Sequence, residues 1–245
     1  MKSAILSEQK VQSHYDEIAD VYDQRYDHRD RGKQYYDHIA QAVLDQIETG
    51  GELLDIGCGT GLFIRRYLKY GGHVTGIDIS SGMIKRAIHL FSSVDFLVGN
   101  AEYLPFSDNS FDSISSLLAF SYLTKPEKTL KDCLRVLKPG GRIAVCTLGR
   151  NVFTSSLPAF FIIGEKMRIR RVGVGKFTEH YYSAQEMEEI FIAAGYTNIS
   201  ISRCSFAHFT LADPIFSLAK RVEPFIEEKI PYLAYNLIAS GQKPE

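Results

Sequence analysis

The sequence predicts an α/β protein built on a doubly wound, seven-stranded, mostly parallel sheet. Three observations lead to this prediction. From residue 52 onward, short β-type runs alternate with helical segments, which is the pattern of βαβ units. A glycine-rich turn follows the first of these runs, at residues 57–61. The length of 245 residues suits one large domain with additions.

The composition excludes several classes of function. Lys and Arg total 28 against 29 Asp and Glu, so no strong field would recruit nucleic acid, and no nucleic-acid partner is expected. The four cysteines form no Cys-x-x-Cys pair, which disfavours a disulfide framework or zinc site, so no metal is expected. A reducing, cytoplasmic location fits this cysteine usage.

The pattern of apolar residues argues against a membrane-spanning segment. The first ten residues lack the apolar core of a signal peptide, and no apolar run approaches the length that spans a bilayer. We therefore expect no integral membrane association, although transient contact with a membrane surface stays open. The oligomeric state is not indicated.

The chain is predicted to begin with a helical cap, residues 1–48. Residues 7–48 read as two helices, with a break at Asp30-Arg31-Gly32-Lys33, because glycine in a charged stretch interrupts a helical pattern. The core domain follows at 49–148, with helices near 62–69, 81–91 and 125–136 and a sharp turn at 139–141. The predicted strands are 52–56, 73–78, 94–98, 112–118, 142–147, 198–203 and 235–240.

A helical insert, residues 149–182, is predicted after strand five. Long excursions of this kind are usually functional loops. Its apolar residues followed by basic ones would suit an apolar or aromatic substrate with an acidic group, although a charge run is more often simply solvated. These residues are Phe153, Leu157, Phe160, Phe161, Ile162 and Ile163, then Lys166, Arg168, Arg170 and Arg171. Residues 183–245 complete the sheet, with helices at 184–194 and within 212–231.

The glycine turn carries the first chemical signal. A strand ending at Asp55 is followed by Gly57, Gly59 and Gly61, which lets a ligand approach the backbone closely. Dinucleotide-binding turns have the spacing G-x-G-x-x-G, which makes room for a pyrophosphate, whereas this chain has G-x-G-x-G.

This turn resembles motif I of the class I S-adenosylmethionine-dependent methyltransferases, and three further segments match in order. Asp78 ends the second strand, where the family's acidic residue accepts hydrogen bonds from ribose hydroxyls. Residues 99–106 with 110–112 look like the adenine segment and the approach to strand four. Residues 134–141 look like the turn before strand five. The resemblance covers roughly residues 15–144, and it implies a Rossmann-like methyltransferase fold.

The resemblance implies S-adenosylmethionine as cofactor and S-adenosylhomocysteine as product. The residues it implies in cofactor binding are Tyr15, Tyr22, Asp55, Gly57, Cys58, Gly59, Gly61, Asp78, Ile79, Met83, Asn100, Ala101, Glu102 and Ala119. Asn100 stands where many relatives carry Asp, and its carbonyl oxygen still accepts a hydrogen bond from the adenine amino group. The subgroup resembled includes ubiquinone and menaquinone methyltransferases.

In the cap, residues 14–26 are similar to a family stretch that closes over the cofactor. Tyr15 and Tyr22 are seven residues apart, two helical turns, so both are expected on one helix face, where their rings would shield a sulfonium. Aromatic anchoring of the helix to the core is an equal alternative.

The substrate side is expected at the end of strand four and in the insert. Phe120, Tyr122, Phe153 and His180 are the candidate contacts, and Tyr22 and His180 are the candidate catalytic residues. An imidazole titrates near neutral pH and could act as a general base, although a lone loop histidine is more often a surface residue.

The function expected is methyl transfer to a small-molecule acceptor that is apolar, aromatic or lipid- or quinone-like. Two rival functions stay open, a non-catalytic module that binds S-adenosylmethionine or its product and, less favoured by the glycine spacing, a nucleotide-cofactor oxidoreductase.

Overall fold

The computed structural model describes residues 2–27, 30–151 and 179–245. This part of the chain contains seven strands: β1 (Glu52–Ile56), β2 (His73–Asp78), β3 (Asp95–Val98), β4 (Phe111–Leu117), β5 (Leu137–Leu148), β6 (Thr197–Cys204) and β7 (Asn236–Gln242). Its α-helices are α1 (Lys2–Ile18), α2 (Asp30–Leu44), α3 (Ile64–Tyr67), α4 (Ser81–Leu90), α5 (Pro126–Val136), α6 (Ala184–Ala194) and α7 (Asp213–Lys229).

The strands form one sheet in the order β3-β2-β1-β4-β5-β7-β6. The first five strands pair in parallel, and β7 is inserted antiparallel between β5 and β6. The predicted doubly wound, mostly parallel sheet of seven strands is therefore confirmed. No helix among the described residues is long and apolar enough to cross a bilayer.

Helices cover both faces of the sheet because its central strands are apolar on both sides. Along β1, Leu53 packs into one core cluster and Leu54 into the other, as expected from the alternation of side chains on a strand. On the Leu53 face lies α2, which buries Ile39 and Val43. On the opposite face lie α5 and α6.

The break in the cap lies earlier than the sequence indicated. Helix α1 ends at Ile18 and α2 begins at Asp30, so Gly32 lies inside α2 rather than in a break. A Cβ at Gly32 would lie only 1.8 Å from the carbonyl oxygen of Arg25. The glycine therefore allows the preceding turn to pack against α2, which is why it does not end a helix.

The segment before strand five also differs from the prediction. Residues 139–141, expected to form a separate turn, belong to β5, which begins at Leu137. A register shift on β4 between Phe111 and Ser113 accommodates the extra residues, and Gly140 has a φ of 78°. Pro139 and Gly140 thus lie in an irregular first part of β5 and do not form a turn before it.

The ends of the predicted insert are held together at the sheet. Gly149 and Tyr182 form a parallel bridge, and the backbone N–H of Arg150 donates to the carbonyl oxygen of Tyr182 at 2.7 Å. Residues 152–178, with Phe153 and the apolar and basic runs, lie outside the described residues.

Helix α6 begins directly after this bridge with a capping box. The Ser183 hydroxyl accepts a hydrogen bond from the Glu186 N–H at 3.1 Å, and the Glu186 carboxylate accepts one from the Ser183 N–H at 3.4 Å. Two backbone donors are satisfied reciprocally, which fixes where the chain from residue 179 enters the helix.

We predict that Ser183→Ala lowers the free energy of unfolding by about 1 kcal/mol, because the helix loses its N-cap acceptor. Urea unfolding followed by circular dichroism measures this change. Ser92→Ala, at an exposed serine, is the matched control and should leave the midpoint unchanged. Equal midpoints for the two variants would contradict the role of the cap.

A buried carboxyl group lies in the middle of the sheet. Asp55 is 2% exposed and accepts a hydrogen bond from the Ser115 hydroxyl on the neighbouring strand at 2.7 Å. Burial raises the pKa of Asp55 to about 7, opposed by the Ser115 hydrogen bond and assisted by the nearby charge of Asp78. Below that pH the folded protein therefore favours the neutral acid.

This raised pKa predicts a fall in stability as pH rises. Between the pKa of Asp55 in the unfolded chain and a pH of about 7, the folded state binds more protons at Asp55 than the unfolded state does. The folding equilibrium constant of the protein should therefore fall roughly tenfold per pH unit in this range. Asp55→Asn should remove that contribution. We expect the variant to gain stability relative to the wild type between pH 5 and pH 8, measured by urea unfolding at both values. A pH-independent difference would contradict this prediction.

Candidate functional site

A cleft of about 840 Å³, including its open mouth, lies at the carboxyl ends of β1, β2, β3 and β4. Between β1 and β4 the strand order reverses, and ligands of open α/β sheets bind at such a point. Most of the residues implied in cofactor binding line this cleft. They are Tyr15, Tyr22, Gly57, Gly59, Asp78, Ile79, Met83, Asn100, Ala101, Glu102 and Ala119.

The glycine turn is fixed by backbone contacts on both sides. The N–H groups of Gly57 and Cys58 donate to the carbonyl oxygen of Ile77 at 2.8 and 3.1 Å. Gly57 has a φ of 67°, and a Cβ there would lie 2.2 Å from the Cβ of Ala119. Only glycine allows this approach, which brings the turn against the end of β4.

Asp78 links the turn to the next strand end. Its Oδ2 accepts a hydrogen bond from the Gly59 N–H and its Oδ1 one from the Ser80 N–H, each at 2.8 Å. Burial raises the pKa of Asp78, and these backbone donors oppose the rise. Each oxygen retains capacity to accept another hydrogen bond, and the residue lines the cleft.

The segment after β3 forms another part of the wall. The Asn100 side-chain oxygen accepts a hydrogen bond from the Glu102 N–H at 2.8 Å, which orients the amide. Glu102, 2% exposed, accepts from the N–H groups of Thr124 and Lys125 at 2.8 and 2.9 Å. Glu102 therefore ties this wall to the loop after β4.

Two aspartates attach the N-terminal cap to the core. Asp16 accepts hydrogen bonds from the Ser80 hydroxyl at 2.6 Å and the Gly82 N–H at 2.8 Å. Asp23, 5% exposed, accepts one from the hydroxyl of Thr60 in the glycine turn. Its second oxygen pairs with Arg86 Nε on α4 at 2.8 Å. Each aspartate follows a cleft tyrosine, Tyr15 or Tyr22, so the same dipeptide supplies an anchor and a lining ring.

Three tyrosine rings meet at one end of the cleft. The Tyr15 ring lies 6.2 Å from that of Tyr22 and 5.9 Å from that of Tyr122, both in edge-on arrangements. The expectation that Tyr15 and Tyr22 share a helix face is incorrect. Tyr15 lies on α1, and Tyr22 begins a separate 3₁₀ helix after the turn at residues 19–21.

Three residues implied in cofactor binding lie behind the cleft wall. Asp55 is buried in the sheet, as described above. The Cys58 sulfur lies 2.8 Å from the position of a Cβ at Gly76, so it fills space under the turn. Gly61 has a φ of 86° and packs on the Phe91 ring. These residues shape the turn without lining the cleft.

Two substrate-side candidates also lie elsewhere. Phe120 is 2% exposed and packs against Tyr182, with ring centroids 5.6 Å apart, so it belongs to the core. The imidazole of His180 lies 2.6 Å from the Glu186 carboxylate and 4.2 Å from the Tyr182 ring. Neither residue lines the cleft, whereas Tyr122 does.

Several cleft residues were not selected as candidate site residues from the sequence. Leu118, which lines the cleft, has a φ of 61°, a rare value for leucine that no sequence pattern signals. Glu8 and Val11 reach the cleft from α1. Glu179 contacts it indirectly, because the Tyr122 hydroxyl donates to Glu179 Oε1 at 3.4 Å. The sequence pattern indicated the adjacent His180 and gave no signal for Glu179.

Comparison with known proteins gives consistent results. The methyltransferase domain family matches residues 54–145. A demethylmenaquinone methyltransferase from Paenarthrobacter aurescens is 33% identical over 156 residues, which are 60% of this chain and 61% of that protein. The chain thus spans less than two thirds of that relative's length. For the enzyme of the same description from Tropheryma whipplei, identity is 30% over 178 residues, 67% of this chain and 74% of that protein.

Solved structures show the same fold. An S-adenosylmethionine-dependent methyltransferase from Thermotoga maritima, described as a possible histamine N-methyltransferase, has a TM-score of 0.69 at 23% identity. The similarity covers 94% of this chain and 98% of that one. The cyclase SpnF has a TM-score of 0.68 at 21% identity, covering 96% of each chain. The matched domain, the curated relatives and the cleft built on the glycine turn together show that this chain belongs to the class I S-adenosylmethionine-dependent methyltransferases.

Proposed function

We propose that this chain binds S-adenosylmethionine in the cleft and transfers its methyl group to a small-molecule acceptor. The observation that carries the proposal is the convergence in one cleft of the glycine turn, the Asp78 carboxylate and the Asn100 wall, with tyrosine rings at one end. A nucleoside with an amino-acid tail needs a diol acceptor, an adenine wall and a close backbone approach, and this cleft offers all three.

The proposed binding mode assigns each part of the cofactor to one part of the wall. The ribose hydroxyls donate to Asp78, whose oxygens each hold one backbone N–H and retain acceptor capacity. The adenine lies between Ile79 and the segment from Asn100 to Ala101, with its amino group donating to the Asn100 side-chain oxygen. The methionyl part lies along the glycine turn, where the missing side chains leave the backbone accessible.

The reaction needs alignment more than acid, base or metal assistance to the leaving group. The sulfonium leaves as a neutral thioether when the acceptor attacks the methyl carbon from the opposite side. Holding the two reactants in line supplies about 7–11 kcal/mol of the barrier reduction. In this binding mode the rings of Tyr15, Tyr22 and Tyr122 surround the sulfonium, and their faces favour a cation.

The acceptor we propose is an apolar or aromatic small molecule. Val11, Leu118 and Leu123 line the cleft together with the three tyrosines, so an aromatic ring would bury apolar surface there. The relatives from Paenarthrobacter aurescens and Tropheryma whipplei are described as acting on demethylmenaquinone, which is consistent with a quinone-type ring. A cytoplasmic location fits the buried, unpaired cysteines.

We predict that Asp78→Ala lowers the affinity for S-adenosylhomocysteine roughly 10- to 100-fold, because charge-assisted hydrogen bonds to the ribose contribute about 1.5–3 kcal/mol. Titration calorimetry measures the affinity. The melting temperature should also fall, because the Gly59 and Ser80 N–H groups lose their acceptor. Asp95→Ala, at an exposed position on the adjacent strand, is the control. Undiminished affinity in Asp78→Ala would remove Asp78 from the proposed cofactor site.

The activity itself is tested with S-adenosylmethionine carrying a radiolabelled methyl group. We expect transfer of label to naphthohydroquinone or to a small molecule in a cell extract. S-adenosylmethionine, but not NAD, should raise the melting temperature of the protein. Stabilisation without transfer to any acceptor would instead favour a non-catalytic binding module, and stabilisation by NAD alone would favour an oxidoreductase.

A further inference from the structure

The acceptor end of the cleft contains a hydrogen bond that leads away from it. The Tyr122 hydroxyl donates to the Glu179 carboxylate at 3.4 Å, and the Tyr15 ring meets the Tyr122 ring edge-on with centroids 5.9 Å apart. Both tyrosines line the cleft. Catalytic hydrogen bonds are often long before the substrate binds, so this length suits a site that tightens around its acceptor.

The direction of the hydrogen bond between Tyr122 and Glu179 follows from the chemistry of the two side chains. A carboxylate accepts hydrogen bonds and a phenol can both donate and accept. Because Tyr122 donates its proton to Glu179, an oxygen lone pair of Tyr122 remains to accept a proton from the methyl acceptor. Burial raises the pKa of Tyr122 well above its ordinary value, so the side chain stays a neutral phenol. It can therefore give a proton to Glu179 only as it receives another one from the methyl acceptor.

The position of Glu179 is set by regular structure on the following residues. The His180 N–H donates to the carbonyl oxygen of Ser121 at 2.9 Å, directly before Tyr122. Tyr182 is bridged to the end of β5, and Ser183 caps α6. The residues that flank Tyr122 and Glu179 are therefore hydrogen-bonded to each other, which keeps the Glu179 carboxylate beside the Tyr122 phenol.

Four other ionisable groups of this region have partners in other parts of the chain. Glu8, which lines the cleft, accepts a hydrogen bond from the Thr124 hydroxyl at 3.2 Å. The His180 imidazole is paired with Glu186 at 2.6 Å, and one oxygen of Glu102 holds the backbone of Thr124 and Lys125. Asp78 holds Gly59 and Ser80 and serves the ribose in the proposed binding mode. Glu179 is the carboxylate to which the hydroxyl of Tyr122, a cleft residue, donates a hydrogen bond.

We infer that Tyr122 and Glu179 form a proton-accepting dyad, and that the acceptor bears a proton on a phenolic, enolic or hydroquinone oxygen. This inference rests on the proposed function and deepens it. In the step, the acceptor attacks the methyl carbon and the methyl–sulfur bond breaks, with its electron pair retained by sulfur. The acceptor proton passes to Tyr122 as the Tyr122 proton passes to Glu179. The products are the methylated acceptor, neutral S-adenosylhomocysteine and a protonated Glu179.

In this arrangement Tyr122 is the catalytic residue and Glu179 is a positioning residue that acts through it. The dyad favours acceptors that must lose a proton over acceptors that arrive already ionised. A carboxylate substrate would gain nothing from Tyr122 as a proton acceptor and would be repelled by the negative charge of Glu179. The same ring scaffold with a hydroxyl or a carboxylate therefore distinguishes the two classes.

The test uses the full chain with S-adenosylmethionine and two matched probes, naphthohydroquinone and naphthoate. We expect methylation of naphthohydroquinone and not of naphthoate. Glu179→Gln should lower kcat roughly 100-fold, the effect typical of losing a proton acceptor, with KM and S-adenosylhomocysteine affinity unchanged. Tyr122→Phe should lower kcat to a similar extent, and the double variant should be no slower than the slower single one, because the two residues act as a unit.

Glu188→Gln, the same change at an exposed glutamate on α6, is the matched control and should retain wild-type kcat. Formate should restore part of the activity of Glu179→Ala, which a purely structural role would not allow. Wild-type kcat in Glu179→Gln, or methylation of naphthoate alone, would overturn the dyad while leaving the methyltransferase proposal intact. If the wild type bound S-adenosylmethionine but methylated neither probe nor any molecule in a cell extract, the proposed function would fail, and the dyad with it.

Discussion

The approach of Gly57 to Ala119 is the constraint on which the rest of the site depends. A Cβ at Gly57 would lie 2.2 Å from the Ala119 side chain, so the turn after β1 and the end of β4 meet without an intervening side chain. Hydrogen bonds from Gly57 and Cys58 to Ile77 hold the same turn on β2. Three strand ends are thus fixed relative to one another before any ligand binds, which preorganises the cleft.

The cap depends on this arrangement because its anchors bind to the parts that the turn positions. Asp23 accepts a hydrogen bond from Thr60 within the turn, and Asp16 accepts two at the start of α4. Distortion of the turn would therefore displace Tyr22 as well as the glycine backbone. The cleft wall and the cap form one connected unit, and helix α7 supports it from outside, where Glu227 contacts His38 of α2 at 2.8 Å.

The sequence predicted the features that repeat a local pattern and missed those that depend on contacts distant in the chain. The seven strands follow from short runs enriched in apolar and β-branched residues, and the cleft walls follow from the glycine turn with Asp78 and Asn100. Gly32 was misjudged because its contact partner, Arg25, cannot be recognised from helical periodicity. His180 was selected as a candidate general base because an imidazole titrates near neutral pH, yet the fold pairs that imidazole with Glu186.

The two ends of the cleft are built differently, and this difference bears on how the protein selects its acceptor. In the proposed binding mode, the cofactor end uses the ends of the three adjacent strands β1, β2 and β3, all within residues 56–102. The proposed acceptor end assembles Val11 from α1, Tyr122 after β4 and, behind it, Glu179 before α6. Substitutions at these three places leave the Gly57–Ala119 contact and Asp78 untouched. Acceptor choice can therefore change in this fold without disturbing how the methyl donor is held.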